Sequence, residues 1–383
     1  MKRAFALGLT GFSLIAVTYG MARFSWGLMM PAIIRDIPFS PRVAGMIAAC
    51  SYVAYCLAMA AASFCVRRFG PRLPAMISAL SAAAGLFLLA SASSSQMLAF
   101  GLFIGGLSSG LASPVLAEAV TRSIPIEQQT VANTVINAGT SAGIIASVIV
   151  LFLVPGGWRI ACIIFGVMAL LCLPPIMRFI PGETGHSSVE TAGWHQIISE
   201  GSMRRLILIS FVSGTASAAW WSFGPDIMHH QFALKEATTN LLWLIGGGAG
   251  ILAVLTGPAI NAIGMKHVYR LSQLFMAAPL LLFALLHGFS WWLFPAVALV
   301  GAGYVILSGV LLVCATSTAK ISSASGVAAA FFALAAGQIA GSVIFGQLYA
   351  RIDAPMALSA FAALSMMMLF LVPRQNVATE GGQ

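Results

Sequence analysis

The feature that most constrains this chain is a succession of apolar runs, each closed by a short polar turn. A helix rises about 1.5 Å per residue, so roughly 20 apolar residues cross the roughly 30 Å hydrocarbon core of a bilayer. Runs of that order lie at about 5–30, 43–65, 73–92, 97–120, 130–154 and 160–178. Six more lie at about 204–227, 240–262, 268–287, 291–316, 324–348 and 355–372. Between the sixes runs a polar stretch, about 179–203. The expectation is an all-α membrane protein of twelve transmembrane helices. An N-terminal bundle (1–178) and a C-terminal bundle (204–383) are joined by a linker (179–203).

Composition agrees. Of 383 residues, 60% are hydrophobic and 8% charged, against about 25% charged in a soluble protein. A soluble core could not hold so many apolar side chains, so the bilayer is the solvent for most of the chain. The formal net charge of +9 sits in short turns, with no basic run interleaved with aromatics, so nucleic-acid binding is not expected. The six cysteines fall within or at the ends of apolar runs and form no CxxC pair. They read as small packing residues rather than a disulfide framework or metal site, and no cofactor is expected. Lys2 and Arg3 followed by an apolar run resemble a signal peptide. The run continues to about Pro31 with no small-residue cleavage site, so it reads as an uncleaved first helix.

Lysine and arginine in the turns set the orientation. With the N-terminus inside, Arg67, Arg68, Arg72, Arg122, Arg178, Arg204, Arg205, Lys266, Arg270, Lys320 and Arg374 fall on the cytoplasmic side. Only Arg35, Arg42, Arg159, Lys235 and Arg351 fall outside. Both termini and the linker are therefore expected in the cytoplasm, with the protein a multi-pass monomer of the inner membrane.

The halves look like repeats. One constant offset maps Gly20 onto Gly214, Trp26 onto Trp220, Pro31 onto Pro225, Gly70 onto Gly264 and Arg72 onto Lys266. A slightly larger offset maps Gly139 and Gly143 onto Gly337 and Gly341. Repeats of this kind place a site near the membrane midplane between the halves.

Twelve helices in two repeats, with a basic turn after the second helix of each, resemble the major facilitator superfamily of secondary transporters. That family's turn reads Gly-x-x-x-Asp-Arg-x-Gly-x-basic. Here the second half has Gly257, Asn261, Gly264 and Lys266, and the first has Ser63, Arg67, Arg68, Gly70 and Arg72. The acidic position is replaced in both. The run Gly157-Trp158-Arg159 is also similar to family members, and Tyr19 to Phe24 resembles a poorly characterised bacterial group. The resemblance implies gating roles for Arg68, Gly70, Arg72, Gly257, Gly264 and Lys266. It also implies that helices 1, 4, 7 and 10 line a central cavity.

Arg23 is the candidate site residue. A charge at bilayer depth costs roughly 2.5–3.5 kcal/mol on insertion scales, and such residues face protein or a water-filled cavity. Tyr19, Arg23 and Trp26 are spaced i, i+4, i+7 and share one face of an α-helix. The matching face of helix 7 carries Ser213, Ser217 and Trp220, without charge. Arg23 then binds an anionic group with the aromatics packing its body, the alternative being a structural arginine. Asn137, Tyr304 and Gln338 are further candidates for the cavity, and Tyr52 and Tyr55 either line it or pack the core. Glu118 and Asp226 are the acidic residues available for ion coupling. Glu118 pairs naturally with Arg122, whereas Asp226, His229 and His230, spaced i, i+3, i+4, are expected in a solvated external loop, the alternative being a helical continuation that puts them on one face suited to a metal or a proton.

Cation exporters of the family resemble one another in an aspartate of helix 1, where this chain has Ala22, and in a proline of helix 5, absent here. The expectation is a secondary active transporter of a small organic anion or zwitterion, coupled to H+ or Na+. The alternative is an efflux pump for amphipathic drugs or metabolites, given 24 Phe and 18 Met. No GxxxxGK[ST], HExxH or GxSxG motif supports ATP hydrolysis or other enzyme chemistry.

Overall fold

A computed structural model of the chain describes residues 2–154, 157–182, 199–318 and 323–373. Among these every regular element is helical. Eleven helices are long and apolar enough to cross a membrane. They are α1 (Ala4–Asp36), α2 (Pro41–Phe69), α3 (Arg72–Ala90), α4 (Ser95–Ser123), α5 (Ile126–Leu153), α6 (Gly157–Phe179), α7 (Gly201–Gln231), α8 (Glu236–Ile263), α9 (Met265–Leu285), α10 (Leu293–Thr318) and α11 (Ser325–Arg351). A twelfth, α12 (Ala354–Met368), is apolar but shorter than the expected 355–372. Most of the expected linker, with Lys320 and Arg374, lies outside the described residues.

The turns explain where the helices start and stop. Ser40, Ser94 and Asp353 accept hydrogen bonds from the main-chain N–H of Val43, Met97 and Met356, capping α2, α4 and α12. Gly70 and Gly264 close α2 and α8 with φ of 71° and 83°, a conformation that only glycine adopts without strain. The glycine matched between the two basic turns is thus a backbone requirement in both.

Two of the longer helices depart from the sequence expectation as well. α7 does not end near residue 227; it continues to Gln231, so Asp226, His229 and His230 are helical and Asp226 is buried. That is a correction to the expected external loop. Pro225 does not end the helix, because a proline inside a membrane helix is tolerated where neighbours satisfy the freed carbonyl. In α1, Ala16–Phe24 is π-helical. The stretch includes both Tyr19 and Arg23, and π segments are rare and frequent at functional sites.

Glycine seams bring helices together. A Cβ on Gly139 or Gly143 would strike the main-chain oxygens of Phe12 and Ala16 at 2.3 and 2.0 Å, and one on Gly337 or Gly341 those of Phe211 and Thr215 at 1.9 and 2.3 Å. Backbone approach this close is how membrane helices gain van der Waals contact without a hydrophobic drive. The α1–α5 seam therefore recurs as an α7–α11 seam. It pairs Ala16 with Thr215, whereas the sequence offset that matches Trp26 to Trp220 would pair Ala16 with Ser210. The two helices thus share a seam but not the register their tryptophans suggest.

Contacts between the first six helices and the last six run through α2 with α11, α1 with α7 and α5 with α8. At the α1–α2 end, a Cβ on Gly45 would meet the Ser342 oxygen at 2.2 Å, and one on Gly346 the Pro41 oxygen at 2.5 Å. Gly27 abuts the Trp221 carbonyl, and Arg35 pairs with Glu236 at 3.0 Å.

Candidate functional site

Arg23 projects from the π-helical stretch of α1 and is 7% exposed. Its guanidinium carbon lies over four rings, with centroid distances of 4.3 Å to Tyr55, 4.8 Å to Tyr52, 5.4 Å to Phe24 and 5.6 Å to Tyr19. Cation–π contacts are worth more when desolvated, about 2 kcal/mol or more, so the cage offsets part of the cost of burial. One guanidinium N–H donates to Gln338 Oε1 at 3.0 Å, while its Nε has no partner. Among the described residues the ion pairs of arginine belong to Arg35, Arg122 and Arg159; Arg23 has none. The cation is thus held by rings and an amide, with one donor spare.

The polar shell spans both halves. Gln338 on α11 turns its Nε2 to Tyr304 Oη on α10 at 3.2 Å and to Ser217 Oγ on α7 at 3.4 Å. Tyr19 Oη lies 2.9 Å from Ser113 Oγ on α4 and 3.5 Å from Tyr55 Oη on α2. Helices 1, 2, 4, 7, 10 and 11 therefore meet at one cluster.

The remaining candidates lie elsewhere. Trp26 stacks on Phe39, with centroids 6.3 Å apart, and is not among the rings over Arg23. Trp220 packs on Trp243 and Phe283 at 5.4 and 5.7 Å. The neighbouring Trp221 is the indole that approaches the cluster, at 4.7 Å from Phe24 and 5.4 Å from Tyr304. Its N–H is buried without a partner. Asn137 is exposed on α5. Tyr52, Tyr55 and Ser113 are the members that sequence reasoning ranked low or missed. The one-turn spacing of the two tyrosines was the available signal.

The family model of the Major Facilitator Superfamily matches residues 12–342. The chain belongs to this superfamily. Two solved structures of the nucleoside transporter NupG share its fold. A point mutant of NupG has a TM-score of 0.78 at 14% identity, covering 95% of this chain and 98% of the other. NupG without the mutation has a TM-score of 0.75 at 14% identity, covering 97% and 98%. Among curated proteins, none matches the sequence. This superfamily member is therefore a multi-pass membrane protein and a secondary transporter rather than an enzyme.

The superfamily turns are built differently in the two halves. Arg72 donates from Nε to the Ile180 carbonyl at 2.9 Å, tying the second turn of the chain to the end of α6. Arg68 is exposed beside the Phe69 ring, and Lys266 is exposed. Gly257 has open space around it. Glu118 pairs with Arg122 at 2.7 Å within α4. At the opposite end, Trp158 Nε1 donates to Asp36 at 2.8 Å and Arg159 donates to the Ala90 and Ala92 carbonyls at 2.9 and 2.7 Å. The Gly-Trp-Arg run thus joins the starts and ends of α6, α1 and α3.

Proposed function

We propose that this transporter moves a small organic anion or zwitterion across the inner membrane by alternating access, with Arg23 at the central site. The observation that carries the reading is a buried guanidinium that has aromatic and amide partners but no carboxylate. A buried ion left unpaired costs several kcal/mol, and a substrate carboxylate is the charge that would offset it. The partnerless N–H groups of Arg23 and Trp221 add donors of the polarity an anion needs. Tyr19, Tyr52, Tyr55 and Trp221 offer faces for the substrate's body. Ser217, Tyr304 and Gln338 supply the second half's share, so binding draws the halves together. Rocking of the six-helix bundles about this point would alternate its access.

The positive-inside count supports cytoplasmic termini, which puts the α1–α2 end outside. The fold neighbour NupG is a nucleoside transporter, but at 14% identity it speaks for the fold and not for this substrate. The aromatic lining keeps efflux of amphipathic compounds as the second reading. The test is thermal-shift binding on purified protein, followed by uptake into proteoliposomes. The probes are aromatic and aliphatic monocarboxylates, with tetraphenylphosphonium as the cationic control. Carboxylate-dependent stabilisation that disappears in Arg23→Gln is expected. Binding of the cation alone, unchanged in Arg23→Gln, would overturn the anion reading in favour of the second.

A further inference from the structure

The second buried charge of the membrane region is Asp226, one residue after Pro225 in α7 and 4% exposed. One turn on, His230 has a side chain 57% exposed. Its Nδ1 lies 3.1 Å from Asp226 Oδ1 and 3.1 Å from the Asp226 main-chain oxygen. The ring hydrogen bond is aligned on the main chain, so Oδ1 is left buried without an aligned donor. The carboxylate is thus closed to solvent, while the imidazole beside it is open.

Other groups at this end are occupied. Tyr349 is the titratable group facing Asp226 from α11, within the ring cluster of Phe223 and Phe345. α12 carries no titratable side chain within the helix, and its N-cap Asp353 is exposed and accepts from the Met356 N–H. His229 Nδ1 lies 3.0 Å from the Leu234 carbonyl and its ring meets His230 edge to face. From α1, Arg35 pairs with Glu236, and Asp36 accepts from Trp158. Among the described residues no group of three His, Cys, Asp or Glu is placed to hold a metal ion.

We propose that Asp226 and His230 form a proton-binding site, separate from the Arg23 cluster, whose occupancy holds the α1–α2 end closed. Histidine changes charge between about pH 5 and 8. A proton taken from water onto His230 supplies the positive charge that the buried carboxylate lacks. When it leaves, the carboxylate stands uncompensated among rings, and hydration of the α7 end relieves it. That end carries the closing contacts, since Trp221 touches Phe24 and Gly27, and Glu236 holds Arg35. The inference deepens the transport reading by naming the proton as driving ion, and its site is read without any substrate.

The test places spin labels at Arg42→Cys and Ala237→Cys, both exposed positions, in a full-length background carrying Cys50→Ser and Cys65→Ser, in nanodiscs. Pulsed dipolar distances are measured at pH 5 and pH 8. The distribution is expected to move to longer distances at pH 8, and to respond no longer in Asp226→Asn or His230→Gln. Gel filtration confirms folding of each variant, and Asp226→Glu, which keeps the charge, is expected to keep the response. Identical distributions at both pH values, or a shift that survives in Asp226→Asn, would overturn the proposal. Neither result depends on Arg23, so failure here and failure of the anion reading remain distinct.

Discussion

Arg23 of α1 donates a 3.0 Å hydrogen bond to Gln338 of α11, and the same amide donates to Tyr304 and Ser217. The buried cation of the first half is therefore held by a polar relay built entirely by the second. No carboxylate intervenes among the described partners of the guanidinium, and the relay links α1 to α7, α10 and α11.

Replacing Arg23 by Met should abolish anion-dependent stabilisation without lowering the unfolding temperature of the empty protein. Removing an unpaired buried charge relieves a desolvation cost of several kcal/mol, and the thioether fits among the Tyr52 and Tyr55 rings. A structural arginine would behave in the opposite way. Thermal unfolding with and without a monocarboxylate separates the two outcomes, and a drop of several degrees in the empty Arg23→Met protein would count against a binding role.

Gln338→Leu should destabilise the empty protein by about 1–3 kcal/mol. The residue is 1% exposed, and its loss strands a guanidinium N–H and removes the hydrogen bonds that Gln338 donates to Tyr304 and Ser217. Denaturant unfolding of the purified protein measures this. Gln338→Glu should instead form a buried ion pair with Arg23, raising stability while weakening anion binding at least tenfold.

The part of this site that could be read in the sequence is the part that depends on burial alone. An arginine in an apolar run is visible at once, as are Gln338 and Tyr304 as polar groups within later runs. Geometry that depends on helical register was not visible. The spacing of Tyr19, Arg23 and Trp26 predicts one face only for an α-helix, and Ala16–Phe24 is π-helical. That register lies where Gly20 and Gly143 bring α1 against α5, a long-range contact with no local signature. Trp26 and Trp220, matched by the repeat, pack elsewhere, and Trp221 takes the position near Tyr304. The approach of Tyr52 and Tyr55 likewise follows from how α2 crosses α1. The helix boundaries were legible to within a few residues except at the far ends of α1 and α7, which run on to Asp36 and Gln231, and of α12, which stops at Met368; in α7, Asp226 and two histidines read as a loop but are helical.

Gly143→Ala and Gly341→Ala should each cost about 1–3 kcal/mol, the range for overpacking. A methyl group there would meet the Ala16 and Thr215 carbonyl oxygens, which belong to helix backbone and cannot swing aside. Gly8→Ala, where nothing lies within 4 Å, is the control. It should be neutral or stabilise by up to about 1 kcal/mol through helix propensity. A Gly143→Ala protein as stable as Gly8→Ala would mean that the seam yields.

Two arginines at the α1–α2 end should respond to very different degrees to the same substitution. Arg35 meets Glu236 at 3.0 Å with side chains 56% and 61% exposed. Solvent screens such a pair, and Arg35→Gln should change stability by under about 1 kcal/mol. Arg159 is more enclosed, at 37%, stacks 4.3 Å over Trp158, and donates to the Ala90 and Ala92 carbonyls at the C-terminal end of α3. These oxygens lack helical partners, and hydrogen bonds from a charged donor are worth about 1.5–3 kcal/mol each. Arg159→Gln should therefore lower stability by about 2 kcal/mol or more, and Arg159→Lys should recover only part of it, because a lysine cannot stack and fork at once. Parallel denaturant curves for the three variants check the ranking. Equal losses for Arg35→Gln and Arg159→Gln would show that charge alone, rather than capping of α3, sets the contribution of this end.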